Sequence, residues 1–349
     1  MRRYPGFLSE LQHQIEELHP EILERISRHG GLEIQDLLTL ILEPRDCSVD
    51  CPDAPIDGEI FRHGEIESYT QLGKDLISNN SVSLCLLAGG AGTRIGGPKC
   101  LLNIFNDETL LSQKIRKNSQ VKNIWILATE SLEESIKKHL DHLGLMREGI
   151  EVVNQYESVR LSPNNQLFSH NSEPSLYPCG HGDVIPALEH SGILRQFISR
   201  GGKHIVIMNI DNFAANVDAS ILGLHHANNA PVTCEVVKKQ QGDKGGVLCR
   251  HNGISQIVEE FRFTPETDAS QFQFMNTNTM IVKSDLDFNM IDWHWHRVKK
   301  NLDGSLVIQY ERLLQQLTEH FKAQFVEVQR DERFTPIKSA LDLDKIRQI

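Results

Sequence analysis

Leu86-Leu87-Ala88-Gly89-Gly90-Ala91-Gly92-Thr93-Arg94-Ile95-Gly96-Gly97-Pro98-Lys99 closes an apolar run that begins at Val82 and leads it through a glycine-rich turn to two cations. An apolar strand that ends in such a turn is the signature of an α/β sheet with a ligand loop at its carboxyl end. Glycines let backbone N–H groups approach phosphate oxygens closely, and successive N–H groups form an anion-binding nest. The stretch therefore reads as a nucleotide-phosphate loop. Leu87, Ala88, Gly89, Gly90, Gly92 and Thr93 would lie along the nucleotide, and Arg94 and Lys99 would supply full positive charge.

Spacing excludes two commoner glycine loops. A Walker A loop ends in Gly-Lys-Ser/Thr, but Gly97 is followed by Pro98-Lys99-Cys100. A dinucleotide fingerprint starting at Gly90-x-Gly92 needs Gly or Ala at position 95, which is Ile95.

Outward from the loop, apolar runs alternate with amphipathic stretches, the pattern of a mixed, mostly parallel sheet with flanking helices. Strands are predicted at 82–87, 124–128, 151–154, 204–208, 232–237 and 278–282, and helices at 131–143, 183–199 and 307–321. Upstream, Phe7, Leu8, Leu11, Ile15 and Leu18 repeat at helical spacing, Pro20 is suited to open a second helix, and Ile34, Leu37, Leu38 and Ile41 continue the pattern. This divides the chain into a helical N-terminal segment, 1–80, and a catalytic domain, 81–349.

The 349 residues carry 36 Lys and Arg against 47 Asp and Glu, a formal charge of −11, which argues against nucleic acid or an anionic membrane as partner. An anionic substrate must then be held by local charge. The seven cysteines show no disulfide framework or zinc spacing and are expected to be reduced thiols of a cytoplasmic protein. Arg2-Arg3 is followed by Glu10, His13, Glu16 and Glu17 where a twin-arginine signal needs an apolar core, and no stretch is long enough to span a membrane.

Two further motifs carry chemistry. Tyr177-Pro178-Cys179-Gly180-His181-Gly182-Asp183 precedes a helical pattern, so its turn would offer partial positive charge to a phosphate or a sugar, with His181 as a hydrogen-bond donor. The flanking glycines give no packing reason for a histidine there. His204-Ile205-Val206-Ile207-Met208-Asn209-Ile210-Asp211-Asn212 delivers one carboxylate at the end of a buried strand, a hard ligand that suits Mg²⁺; the plainer reading is an Asp that caps the following helix.

Taken in order with Gly245-Gly246, Ile257-Val258-Glu259-Glu260-Phe261, Met275-Asn276-Thr277-Asn278 and Thr335-Pro336-Ile337-Lys338, these motifs resemble those of the eukaryotic-type UDP-sugar pyrophosphorylases, above all the UTP–glucose-1-phosphate uridylyltransferases, over residues 60–345. The resemblance implies a Rossmann-like, GT-A-like nucleotidyltransferase fold and transfer of a uridylyl group from UTP to a sugar 1-phosphate, glucose 1-phosphate leading, with Mg²⁺. It implies that Gln155 contacts uracil, that Gly180 and His181 touch the base and phosphates, and that Asn209, Gly246, Glu259, Asn276, Asn278 and His181 hold the sugar. Asp211 falls in the metal and phosphate motif, and Lys338 matches a lysine that neutralises the attacking phosphate.

Two departures bear on the sugar and a third on oligomeric state. The first loop reads Ala-Gly-Gly-Ala-Gly-Thr-Arg, a form nearer the hexosamine-type relatives; Glu260-Phe261 follows Glu259; and the sequence ends soon after Lys338, so the family's C-terminal β-helix is expected to be absent. The alternatives are a related enzyme using an N-acetylhexosamine or cyclitol phosphate or another nucleotide, and a silent UDP-sugar-binding protein. A glycosyltransferase would carry Asp-x-Asp where Asn209-Ile210-Asp211 stands. Trp293-His294-Trp295-His296 and His225-His226 read as structural.

Overall fold

A computed structural model describes residues 6–28, 30–50, 52–55, 59–90, 92, 97–105 and 108–348. The chain groups into two compact units. One comprises Met1–Cys47, Asn154–Ser191 and Asp292–Leu314; the other comprises Ser48–Val153, Gly192–Ile291 and Gln315–Ile349. The first eighty residues are thus shared between them: the helices Gly6–Glu16, Pro20–Ile26 and Ile34–Leu42 belong to the first unit, whereas the strand Ile60–Arg62 and the helix Thr70–Ser78 belong to the second.

The second unit is built on a ten-stranded sheet. Its strands are β1 (Ile60–Arg62), β2 (Val82–Leu87), β3 (Asn123–Ala128), β4 (Ile150–Asn154), β5 (His204–Asn209), β6 (Val232–Lys238), β7 (Gly246–His251), β8 (Ile254–Glu259), β9 (Phe274–Lys283) and β10 (Ala323–Glu327). The order is β1-β10-β6-β9-β5-β2-β3-β4, and the β7–β8 hairpin joins through β7 to β9. β5, β2 and β3 are parallel, while β9 runs antiparallel to both β5 and β6, so the sheet is mixed as expected. All six residues of β2 are buried, Ser83 among them, which explains why that strand reads as a nearly continuous apolar run: neither face is left to solvent. Two covering helices, Thr70–Ser78 and Ala219–Ala227, approach closely because a Cβ on Gly73 would lie 1.8 Å from the Ala219 carbonyl oxygen.

The first unit packs Leu8, Leu11, Ile15, Leu37 and Leu38 into its core. It also holds the short strand pair Glu157–Val159 and Leu176–Pro178 and the hairpin His296–Leu302 with Ser305–Glu311. That hairpin overturns the helix expected at 307–321; only Leu317–His320 is α-helical there. Asp303 and Gly304 both take positive φ, 49° and 88°, which is the two-residue turn that matches strand twist, and it commits the β-branched residues that follow to a strand. The helix expected at 183–199 is split into Val184–His190 and Ile193–Ser199, because Gly192 between them is left-handed at φ 76°.

Candidate active site

β2 ends at Leu87, and the chain continues through Ala88, whose N–H donates to the Leu127 carbonyl of β3. Gly89 is buried and Gly90 exposed. The loop then folds back on itself: Gly97 N–H donates to the Gly92 oxygen and Lys99 N–H to the Gly90 oxygen, each at 3.4 Å. Gly92 is left-handed at φ 59°, and a Cβ there would sit 1.8 Å from the Gly97 oxygen, so this position accepts no side chain. Thr93 and Arg94, expected at the phosphates, lie outside the described residues.

Lys99 Nζ donates to Asp211 Oδ2 at 2.6 Å and to the Ile337 carbonyl at 3.3 Å. Both side chains keep some exposure, 21% and 17%. Asp211 caps no helix; that task falls to Asp218, whose carboxylate accepts from Ser220 N–H and Ile221 N–H. Instead, the loop after β5 pairs with an extended segment near the C-terminus. Ile337 N–H donates to the Asp211 carbonyl, Phe213 N–H to the Thr335 carbonyl, and the Asn212 side chain bonds Thr335 N–H and the Arg333 carbonyl. Thr335 is held extended by the proline that follows it, so the segment is ready to pair. Arg333 is buried and paired with Glu235, which fixes the base of the segment. These contacts bring the first loop, Asp211 and the Lys338 backbone to one place. The Lys338 side chain is exposed and makes no polar contact among the described residues.

The sequence reading missed the residue that supports this loop. Lys114 is 1% exposed and directs its ammonium at the carbonyls of Asn212, Phe213 and Ala215. Burial pulls its pKa well down. No motif marks it, because its partners are backbone atoms.

The sugar candidates lie on the same sheet. Met208 of β5 pairs with Thr279 of β9, so Asn209 and Asn278 occupy the next positions along the two strands. Asn209 also pairs with Leu87. Gly246 faces Glu259 across the β7–β8 hairpin. Asn276 and Asn278 are tied together through Asn276 Nδ2 to Asn278 Oδ1 at 2.8 Å. Glu260 turns away into the short 3-10 turn Glu260–Arg262 and pairs with Lys239 at 2.7 Å, so it adds no second carboxylate beside Glu259.

Gln155, Gly180 and His181 belong to the other unit. Gln155 Nε2 donates to the Gly180 carbonyl at 2.7 Å, and His181 Nδ1 accepts from Leu314 N–H at 2.8 Å. Burial lowers the His181 pKa to about 4, so the ring is neutral with its proton on Nε2, which leaves it a hydrogen-bond donor. The glycines on either side have a packing reason after all: a Cβ on Gly180 would lie 2.3 Å from the Arg312 oxygen, and one on Gly182 2.7 Å from the Arg312 carbonyl carbon. Arg312 itself pairs with the fully buried Asp183 at 2.7 Å and stacks 4.4 Å over the Trp295 ring. Burial raises the Asp183 pKa to about 6 against the pull of that guanidinium. Trp295 of the aromatic–histidine segment thus packs on the guanidinium of this buried ion pair. His225 and His226 are joined by a third histidine, His204, whose Nε2 lies 2.9 Å from His226 Nδ1.

The described residues include no cluster of three or more His, Cys, Asp or Glu able to hold a metal. Cys85, Cys100, Cys179, Cys234 and Cys249 are free thiols, and no helix among the described residues is long and apolar enough to cross a membrane.

Comparison with known proteins agrees with the motifs. The family model described as UTP–glucose-1-phosphate uridylyltransferase matches residues 47–347. The UTP–glucose-1-phosphate uridylyltransferase of Encephalitozoon cuniculi is 26% identical over 304 residues, 81% of this chain and 61% of the relative. The chain spans about three-fifths to two-thirds of the length of the curated relatives it matches. Among solved structures, a UDP-glucose phosphorylase from Trypanosoma brucei aligns over 98% of this chain and 78% of its own with TM-score 0.75 and 20% identity. A uridine diphosphate N-acetylglucosamine pyrophosphorylase of the same organism aligns over 99% and 85% with TM-score 0.68 and 17% identity. These structural likenesses establish the mixed-sheet nucleotidyltransferase fold, and the sequence match over residues 47–347 goes further: this chain belongs to the UTP–glucose-1-phosphate uridylyltransferase family.

Proposed function

We propose that the chain transfers a uridylyl group from UTP to a hexose 1-phosphate, glucose 1-phosphate first, and releases pyrophosphate. An oxygen of the sugar phosphate attacks the α-phosphorus in line as the bond to the leaving pyrophosphate breaks. Both reactants are polyanions, and each pair of unit charges at ~4 Å costs about 4 kcal/mol at an effective dielectric of 20. Catalysis is therefore charge neutralisation and positioning, and it needs neither a nucleophilic side chain nor a general base.

The observation that carries this reading is the junction at Lys99, where the glycine loop, the strand-end carboxylate of Asp211 and the Lys338 segment meet. In this reading Leu87 to Thr93 lie along the nucleotide, Arg94 and Lys99 hold the triphosphate, and the exposed Lys338 meets the attacking phosphate. Gln155, Gly180 and His181 contact the uridine moiety, while Asn209, Gly246, Glu259, Asn276 and Asn278 hold the sugar.

Asp211 fits a magnesium ion. Lys99 occupies only its Oδ2, and no other described residue bonds the carboxylate, so one hard oxygen remains for a cation that takes its other ligands from phosphate and water. Bound there, Mg²⁺ would supply charge neutralisation on the phosphate oxygens.

Pyrophosphate release from UTP, Mg²⁺ and a panel of sugar 1-phosphates tests the proposal. Release selective for glucose 1-phosphate supports it; selectivity for an N-acetylhexosamine or cyclitol phosphate moves the acceptor. UDP-sugar binding without release from any acceptor would make the chain a silent binding protein.

A further inference from the structure

Gln315 is the one member of the sheet's polar cluster that no motif indicated. It lies in the 3-10 turn Leu314–Gln316 and is 2% exposed. Its side-chain Nε2 donates to Glu259 Oε1 at 2.8 Å and to Asn278 Oδ1 at 3.2 Å. Its backbone is anchored as well: Thr318 Oγ1 donates to the Gln315 carbonyl at 2.7 Å and accepts from Ile257 N–H of β8 at 3.0 Å. The amide orientation is thus fixed, since turning it over would set its oxygen against two other oxygens.

That orientation leaves the Gln315 Oε1 atom buried without a hydrogen-bond donor among the described residues. An unsatisfied buried acceptor is destabilising and persists in a native structure where something else repays it. The surroundings point to a ligand. Asn278 holds φ 58° in the middle of β9, where the register with β6 is interrupted, a strained placement for a residue with a side chain. Its Oδ1 already receives Asn276 and Gln315. Opposite Glu259, Gly246 brings its backbone close to the cluster: a Cβ there would meet Ile257 Cγ2 at 2.8 Å and Glu259 Oε1 at 3.1 Å.

We propose that Gln315 is a specificity-determining residue of the sugar subsite: it fixes Glu259 and Asn278 and presents its Oε1 as acceptor to one hydroxyl of the hexose. This inference rests on the uridylyltransferase reading above. A site built to accept a hydrogen bond rejects the analogue that lacks the donor, because the buried oxygen is then left unpaired.

The test is steady-state kinetics of the full chain with UTP, Mg²⁺ and glucose 1-phosphate or its 2-, 3-, 4- and 6-deoxy analogues, for wild type and Gln315→Met. One deoxy analogue is expected to lose about 10–100-fold in kcat/KM with wild type. Gln315→Met should lose a similar factor with glucose 1-phosphate and little more with that same analogue, while KM for UTP stays unchanged. Additive losses from the substitution and the deoxygenation would overturn the inference. So would turnover of every deoxy analogue within about twofold of glucose 1-phosphate by wild type, a result that needs no variant to fold. Gln315→Glu, of the same size, loses the donor to Glu259 and Asn278 but keeps an acceptor oxygen, so its remaining turnover should still discriminate against that analogue. If wild type turns over no hexose 1-phosphate and calorimetry finds no UDP-hexose binding, the parent reading falls and takes this inference with it; turnover without coupling sinks only the role of Gln315.

Discussion

Two glycine turns that look alike in sequence do opposite things with charge. Gly89 to Lys99 ends in a cation that is part-exposed and shared between Asp211 and a backbone carbonyl. Gly180 to Asp183 ends in a carboxylate with no exposure, locked onto Arg312. Both turns need glycine because backbone passes too close for a Cβ, so glycine content does not separate them. What separates them is solvent access to the charge at the end: a part-exposed cation can be handed to a phosphate, whereas a buried ion pair is committed to holding its own chain.

Arg312→Ala should break this contrast hardest. It strands the Asp183 carboxylate, and removing one partner of a buried pair costs about 3–5 kcal/mol, read as a lower denaturation midpoint. Lys338→Ala is the converse test, at an exposed cation whose side chain has no polar partner among the described residues. We expect kcat to fall about 10²–10³-fold, equivalent to about 2.7–4 kcal/mol, with the melting temperature unchanged; near-wild-type turnover would remove Lys338 from the mechanism.

The glycines themselves sharpen the comparison. Gly180→Ala, forced into φ 102° against the Arg312 backbone, should cost about 1–3 kcal/mol of stability. Gly92→Ala, whose Cβ would meet the Gly97 oxygen at 1.8 Å, should distort its own loop and lower kcat/KM for UTP by a larger factor than Gly180→Ala does. A loss of stability with kcat/KM for UTP unchanged would take the first loop out of the phosphate site.

The smallest effect is in pH. His181 is held at about 4 when folded against 6.5 ordinarily, so the unfolded chain binds more protons between those values and stability rises with pH across them. Asp183, raised to about 6 from 3.8, binds its proton more tightly when folded, so its contribution falls as pH rises through that window. The two slopes oppose each other. His181→Asn, whose side-chain oxygen can replace Nδ1 as acceptor, removes the rising slope. Wild type should therefore gain about 1–2 kcal/mol on the variant between roughly pH 4 and 6.5 in denaturant titrations, allowing for partial exposure of the ring. A constant difference would show that the ring does not change its protonation on folding.

Much of the sheet was legible because burial on both faces demands continuous apolar runs, and β2, β3, β5 and β6 fall within a residue of their expected limits. The hairpin His296–Glu311 was misread because Leu306, Val307, Ile308 and Tyr310 also satisfy a helical period; Asp303-Gly304 was the local signal that decides the matter. The polar residues of the site divide in the same way. Lys99 and Asp211 stood out because glycine loops and strand ends leave marks in one dimension, while Lys338 was singled out by the family resemblance alone. Lys114 and Gln315 left none, since their partners are carbonyls and side chains far along the chain.

By itself, then, the sequence determined the sheet, the strand-end loops and the family, because periodicity and glycine spacing are local consequences of burial and backbone sterics. Only the tertiary structure decided which charges are available and which are spent. Pairing between Lys99 and Asp211, Arg312 and Asp183, or Gln315 and Glu259 depends on chain crossings and on the loss of solvent around each group, and neither is written in the order of residues.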